Sequence, residues 1–174
     1  NTLAIVRPKD SISYQSLYHL DQFLNRGGNL FIALNRVEGD FSTAQGSVVN
    51  TAFESWLRQK GLDVKDDFVI DSKCGSVSVQ QQQGHFRYQT NVSFPYIPII
   101  SKFADHPITK GLEAVVMQFA SSIEYTGTDT SATFTPLAFT SGRSGIMKAP
   151  LYFDVQKQWS NSDMPMKSIV VSGV

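Results

Sequence analysis

The residue types best suited to nucleophilic chemistry in this sequence are one cysteine, Cys74, and three histidines, His19, His85 and His106. A cysteine nucleophile needs a helix N-terminus or a basic partner to lower the pKa of its thiol. Residues 75–79 alternate serine with valine, which indicates the entry to a strand and not to a helix. We therefore interpret Cys74 as a small buried side chain. The alternative is a divergent amidotransferase-like enzyme, in which His85 or His106 activates Cys74.

Motifs for metal binding, phosphate binding and acyl transfer are missing from the sequence. The histidines are far apart, and none belongs to an H-x-x-x-H or H-E-x-x-H arrangement, which argues against a zinc site. The sequence has no G-x-x-x-x-G-K-[ST] loop, and no G-x-G-x-x-G follows the first predicted strand. The segment Gly142–Gly145 has the wrong spacing for a G-x-S-x-G nucleophile elbow. We predict a non-enzymatic protein that uses no cofactor and no metal.

Five residues are candidates for contact with a ligand or partner. Arg36, Glu38 and Asp40 follow the second predicted strand, and ligands of open α/β sheets bind at the carboxyl ends of strands. Tyr96, with the isoleucines that follow it, is a candidate partner-binding patch, and core packing is the alternative. His106 precedes a proline and is the fifth candidate; the alternative is a loop residue whose ring bonds a neighbouring carbonyl.

Composition limits the class of protein further. The 174 residues suit a single domain, 1–174, and 41% hydrophobic with 17% charged residues supplies a real core. Fifteen basic and fifteen acidic side chains cancel, so no electrostatic footprint for a nucleic acid or an anionic membrane is present. One cysteine excludes an internal disulfide. No apolar run approaches the ~18 residues that cross a bilayer, so any membrane anchor is expected outside this chain.

Hydrophobic periodicity predicts a β-α-β unit at the start of the chain. Leu3–Val6 is a short apolar run typical of a buried strand. An i, i+3, i+6, i+7 stripe from Leu17 to Leu24 makes one helical face, and the pair Gly27–Gly28 suits the end of that helix. Leu30–Leu34 is the second strand, parallel to the first, as such crossovers are. The polar segment Asn35–Asn50 is predicted to be a loop.

The alternation of helices and strands then continues. Thr51–Lys60 is predicted to be a second helix that ends at Gly61, and Phe68–Ile70 a third strand. This pattern favours an α/β fold, a three-layer sandwich with a mostly parallel central sheet. Alternation from Val77 to Tyr88, around a turn at Gln80–Gly84, predicts an added β-hairpin.

The rest of the chain is predicted to be mostly extended. Phe94–Ile100 contains two prolines, which lack the ladder N–H, so this segment is predicted to be extended but not a regular central strand. Further strands are predicted at Val115–Phe119, Thr133–Thr140 and Ser168–Val171. The sequence contains no internal repeat and no linker, which again favours one domain.

Six blocks, taken in order, resemble a known family. The first includes the string LDQFL-x-x-GG, the fourth is HPIT-x-GL, and the last is TPLAFTS. Together they resemble the GldG-type proteins, which are auxiliary components of ABC transporters associated with gliding motility. The blocks are Leu17–Ile32, Phe53–Asp71, Phe94–Ile100, His106–Leu112, Phe119–Glu124 and Thr135–Ser141.

The resemblance implies both a fold and a function. The fold is expected to be similar to the class I glutamine amidotransferase-like or flavodoxin-like sandwich, without a counterpart of the amidotransferase Cys–His–Glu set. The function implied is a non-catalytic domain on the extracytoplasmic (periplasmic) face of the bacterial inner membrane, anchored by helices outside this chain. Implied partners are the permease and ATPase subunits of an ABC transporter, with an extracytoplasmic protein. The alternative is a module that binds a small ligand, such as a sugar or peptide.

Overall fold

The computed structural model of the protein describes residues 1–83, 86–127, 132–166 and 168–174. Strands make up 44% of the residues and helices 11%. The first half contains β1 (Thr2–Val6), α1 (Tyr14–Asn25), β2 (Asn29–Ala33), β3 (Val37–Asp40), β4 (Gln45–Val48), α2 (Phe53–Gln59), β5 (Leu62–Val64), β6 (Asp67–Asp71) and β7 (Cys74–Gln83). The second half contains β8 (Phe86–Ile100), β9 (Lys102–Phe103), β10 (Val115–Val116), β11 (Ile123–Tyr125), β12 (Pro136–Phe139), β13 (Ser144–Lys148), β14 (Leu151–Tyr152) and β15 (Val170–Gly173).

The prediction of an α/β three-layer sandwich with a mostly parallel sheet, of amidotransferase-like or flavodoxin-like type, is wrong. The described residues form small sheets of two or three strands, and β1 with β2 is the parallel pair among them. The predicted third parallel strand, β6, pairs antiparallel with β13, with Asp71 opposite Ser144. That pairing joins segments distant in sequence, so local periodicity carries no signal for it.

The predicted β-α-β unit is confirmed, but the prediction that Leu3–Val6 is a buried strand is wrong, because β1 is mostly exposed, with Val6 at 66%. The strands β1 and β2 are parallel and in register from Thr2 and Asn29 onward. The side chain of Ser13 caps α1 by accepting from the backbone N–H of Ser16 at 3.1 Å. The apolar face of α1 packs with Phe53 and other residues of α2, the second predicted helix, in one buried cluster.

The prediction that Asn35–Asn50 is a loop is wrong, because β3 and β4 form an antiparallel hairpin there. The pattern was hidden by two glycines. A Cβ at Gly39 would lie 2.3 Å from the ring of Phe119, and one at Gly46 would lie 2.7 Å from the ring of Phe68. The hairpin therefore covers aromatic rings with bare backbone, and no alternation of large apolar residues marks it.

The hairpin of β7 and β8 is confirmed, with pairs from Ser76 and Ser93 outward. The turn predicted at Gln80–Gly84 is misplaced, because Gln80–Gln83 belong to β7; Gly84 and His85 lie outside the described residues. The exclusion of Phe94–Ile100 from a regular strand is wrong, since β8 runs to Ile100. Proline lacks the N–H donor but keeps its carbonyl acceptor, and the carbonyl of Pro98 accepts a hydrogen bond from the N–H of Met117 at 3.0 Å. Proline is therefore tolerated in this part of β8.

The other predicted strands are present in shortened or shifted form. Where Val115–Phe119 was predicted, β10 covers two residues. Within Thr133–Thr140, β12 covers four residues. The strand predicted at Ser168–Val171 is β15, shifted toward the end of the chain. The presence of a strand in each of these segments is thus confirmed, whereas the predicted bounds are wrong.

Aromatic rings from distant segments fill the main core. Phe68 is fully buried and meets Tyr96, Phe119 and Phe153 edge-on, with centroids 5.7–5.8 Å apart. Phe119 and Phe153 stack at 5.5 Å with an interplanar angle of 15°. Such contacts add to the stabilisation from area burial alone. This cluster joins the β3–β4 hairpin to β6 and β8, and so supports the candidate site.

Candidate functional site

A cleft of about 380 Å³ lies where the parallel strands β1 and β2 end. Its walls come from the residues after β1, the residues after β2 and the end of β4. The N–H of Arg7 donates to the carbonyl of Ala33 at 2.8 Å, which ties the two strand ends together. Arg7 has a φ of 44°, a left-handed conformation uncommon for residues other than glycine. This turn sends the chain along the rim of the cleft, where Lys9 also lies.

Arg36 was predicted to bind a ligand, but its side chain is buried and bonded within the protein. Its guanidinium donates to the carbonyls of Val49 (3.2 Å) and Val64 (3.4 Å) and to Oδ1 of Asn50 (3.2 Å). Arg36 is 7% exposed. A buried guanidinium with three acceptors holds the segment Val49–Asn50 in place, which forms one wall of the cleft.

Asp40, the third of these candidates in sequence, lies outside the cleft in the turn between β3 and β4. Its carboxylate accepts from the N–H and Oγ of Ser42, at 2.8 and 2.6 Å, and from Oγ1 of Thr43 at 3.0 Å. These bonds, those from the Ser42 hydroxyl first, lower the pKa of Asp40. The contacts are those of a turn-forming aspartate.

Glu38 is the one residue of the three that lines the cleft. Sequence reasoning missed the two cations opposite, Arg7 and Lys9. The signal was present, because they follow β1 as the predicted residues follow β2, and carboxyl ends of adjacent parallel strands share one edge. The sequence prediction placed candidates after β2 and none after β1.

Tyr96 lies in the aromatic core and is 3% exposed. Its ring lies 4.9 Å from Phe153 and 5.6 Å from Trp159, centroid to centroid. Burial, with smaller contributions from the charges of Asp154 and Asp163, raises the pKa of Tyr96 to about 12. The side chain of Tyr96 is therefore not part of the surface that a partner meets.

His106 is half-buried and organises its own loop. Its Nδ1 accepts from the N–H of Ile108 at 3.3 Å, and its carbonyl accepts from the N–H of Thr109 at 3.0 Å. No hydrogen bond joins His106 to Cys74, both of which the structure describes. The contacts of His106 are those of a turn residue, and none is directed at the cleft lining.

Cys74 is partly buried at the start of β7, opposite Pro98 of β8. Burial is the main cause that raises the pKa of its thiol, and the charge of Asp71 adds to it. Its surroundings therefore disfavour the thiolate, which is the nucleophilic form.

We expect Cys74 to react more slowly with iodoacetamide at pH 7–8 than a free cysteine does. Because the pKa is raised, the thiolate fraction at that pH is below the ordinary one, and the rate should climb at higher pH than for an unperturbed thiol. Mass spectrometry across pH 6–10 measures the rate, with the urea-unfolded protein as the control. Alkylation at pH 7 faster in the folded protein than in the unfolded one would contradict this expectation.

Neither a metal cluster nor a membrane-spanning helix is present among the described residues. These residues contain no group of three or more histidine, cysteine, aspartate or glutamate side chains able to hold a metal ion. No helix among them has the length and apolar character to cross a bilayer. The titratable side chains that line the cleft are Arg7, Lys9 and Glu38.

Comparison with known proteins gave one match. A family model described as ABC-type uncharacterized transport system matches residues 1–174. No curated protein and no solved structure matches the chain. The matched range includes the β-α-β unit with its cleft, the aromatic core and the hairpin of β7 and β8.

Proposed function

Because the chain belongs to the family of ABC-type uncharacterized transport system proteins, we propose that it is a non-catalytic auxiliary domain that binds a transporter subunit on the extracytoplasmic side of the membrane. The family itself makes the protein an auxiliary component of such a system, which confirms the predicted ABC transporter resemblance at that level. The periplasmic location and the permease and ATPase as direct partners belong to the proposal. The GldG-type identity and a role in gliding stay predictions.

The proposed contact with a transporter subunit is supported by one feature, the arm, which we define as residues 75–83 of β7 and 86–93 of β8. The two strands of the arm pair with each other from Ser76 and Ser93 to Gln83 and Phe86. In the described structure, β8 gains its other neighbour, β10, only at Ile99 and Ile100. Apart from Gln82, the outer backbone edges of the arm have no strand neighbour among the described residues, and such edges add readily to a strand of another protein.

The side chains of the arm also suit a protein partner. Between Gly75 and Ser93 the sequence has no acidic residue and no lysine, and one arginine, Arg87. Charges are what usually protect exposed strand edges from pairing. Phe86 is 79% exposed and Tyr88 44% exposed near the tip. Exposed aromatic residues at an unpaired edge are typical of an interface and costly on a surface that meets only water.

A non-catalytic role is supported by the buried polar side chains, which form hydrogen bonds within the protein itself. Among the described residues, buried Asp67, Asp71 and Arg36 are bonded to backbone or hydroxyl groups of the protein itself. The thiol of Cys74 has a raised pKa. A sugar-binding role is not favoured, because no aromatic side chain lines the cleft.

The proposal predicts that the tagged full-length protein, expressed from its native locus, recovers an ABC permease or ATPase from solubilised membranes. The double variant F86S/Y88S should recover about tenfold less, since loss of interface aromatics costs at least 1.4 kcal/mol. The control is Y14S/F31S, which removes a tyrosine and a phenylalanine that are also exposed, on α1 and β2. Quantitative mass spectrometry measures recovery.

Each outcome of this experiment is informative. Recovery of transporter subunits that the arm variant and the control reduce equally would exclude the arm as the contact. Recovery of no transporter subunit by the wild-type protein would refute the coupling role. Protease added to intact spheroplasts tests the location, because an extracytoplasmic domain is cut without lysis.

A further inference from the structure

The charges that line the cleft have no partners within the described structure. Arg7, Lys9 and Glu38 all line it, yet none of their charged groups makes an ion pair or a side-chain hydrogen bond among the described residues. Some surface charges elsewhere are paired, as Lys65 is with Asp63 at 2.6 Å. The cleft thus presents two cations and one carboxylate that are open to a ligand.

The walls of the cleft add fixed hydrogen-bond donors. Oδ1 of Asn50 accepts from Arg36 at 3.2 Å, so the side-chain amide is held with its oxygen toward the protein. Its NH₂ group keeps two donor hydrogens, and Asn50 lines the cleft. Arg36 is therefore a positioning residue for this wall, and its burial makes the wall rigid.

Position and size agree with a binding site. The cleft lies at the carboxyl ends of parallel strands, the edge at which open sheets bind ligands. Its volume of about 380 Å³ falls in the range of small-molecule sites, roughly 300–1,000 Å³. The lining is more polar than apolar, so a polar ligand is the better match.

We propose that this cleft binds a small molecule that carries a carboxylate or phosphate group together with a hydroxyl or ammonium donor. Arg7 and Lys9 bind the anionic group, and Asn50 donates to it. Glu38 accepts from the donor of the ligand and disfavours ligands that are anionic throughout. This site is separate from the arm and does not depend on the role proposed for the arm.

The test is a titration of the ¹⁵N-labelled protein with two probes, sulfate (a phosphate analogue without a donor) and malate, followed by backbone chemical shifts. Saturable changes should be confined to residues 7–9, 35–38 and 48–50. Arg7→Gln or Lys9→Gln should weaken binding of both probes about three- to tenfold, as expected for a charge-assisted contact at a partly exposed site. Glu38→Gln should strengthen sulfate binding, because sulfate has no hydrogen-bond donor and is only repelled by the carboxylate; malate, whose hydroxyl donates to Glu38, should gain less.

The control variant is Lys110→Gln, which removes an exposed lysine that does not line the cleft. It should leave both affinities unchanged. Shifts that stay linear with concentration, or that Lys110→Gln weakens as much as Lys9→Gln does, indicate unspecific ion association and overturn the proposal. Equal response of both probes to Glu38→Gln overturns the role of Glu38. The positions of all other resonances verify that each variant is folded.

Discussion

Replacing Phe68 with alanine is expected to lower the free energy of unfolding by about 3–5 kcal/mol, as truncation of a buried phenylalanine does. Phe68 is fully buried, and its ring meets three other aromatic rings edge-on. It also fills the space that Gly46 leaves open beneath the β3–β4 hairpin. The cavity would therefore lie between the hairpin and β6, where little backbone can move in to fill it.

Urea unfolding followed by tryptophan fluorescence measures this loss. The matched control is Phe86→Ala, which removes the same side chain from a position that is 79% exposed. We expect the control to stay within about 0.5 kcal/mol of the wild type. A loss below about 1.5 kcal/mol for Phe68→Ala would mean that the aromatic core is not packed as described.

Replacing Asp71 with asparagine is expected to lower the free energy of unfolding by about 2–4 kcal/mol. The carboxylate of Asp71 is fully buried at the end of β6. It accepts from the N–H of Lys73 at 2.8 Å and from the N–H and Oγ of Ser141 at 2.6 and 2.5 Å. An asparagine would turn an NH₂ group toward one of these donors and leave it unsatisfied, at about 1–3 kcal/mol per group and more where charge is lost.

The control for this variant is Asp66→Asn, an exposed aspartate on the turn before the same strand. It should change stability by less than about 0.5 kcal/mol. Amide hydrogen exchange gives a second measurement: in Asp71→Asn, the N–H groups of Lys73 and Ser141 should lose protection. Equal stability of the two variants would refute the role of Asp71 in joining β6 to the segment after β12.

Three candidates that the sequence groups together take different roles in the structure. Arg36, Glu38 and Asp40 all follow the second predicted strand, so sequence alone treats them as one group. In the structure, Arg36 holds one wall of the cleft in place, and Asp40 accepts hydrogen bonds within the turn between β3 and β4. Only Glu38 lines the cleft. Which role each takes depends on acceptors such as Val64 that come from elsewhere in the chain.

The sequence by itself determined the elements whose signals are local. The β-α-β unit followed from a helical stripe bounded by glycines, and its parallel pairing from the rule for such crossovers. The second helix and the hairpin of β7 and β8 followed from periods of 3.6 and 2. The family followed from the order of six weak blocks, and it is confirmed at the level of an ABC transport system.

Only the tertiary structure decided the fold class and the site. The antiparallel pairing of β6 with β13, and the β3–β4 hairpin with its glycines over aromatic rings, depend on contacts between distant segments. The same holds for the cleft, which Lys9 and Glu38 both line because β1 and β2 end at one edge. Local patterns record which face of a segment is apolar. They do not record which distant segment covers that face, and this choice is made by packing the whole chain at once.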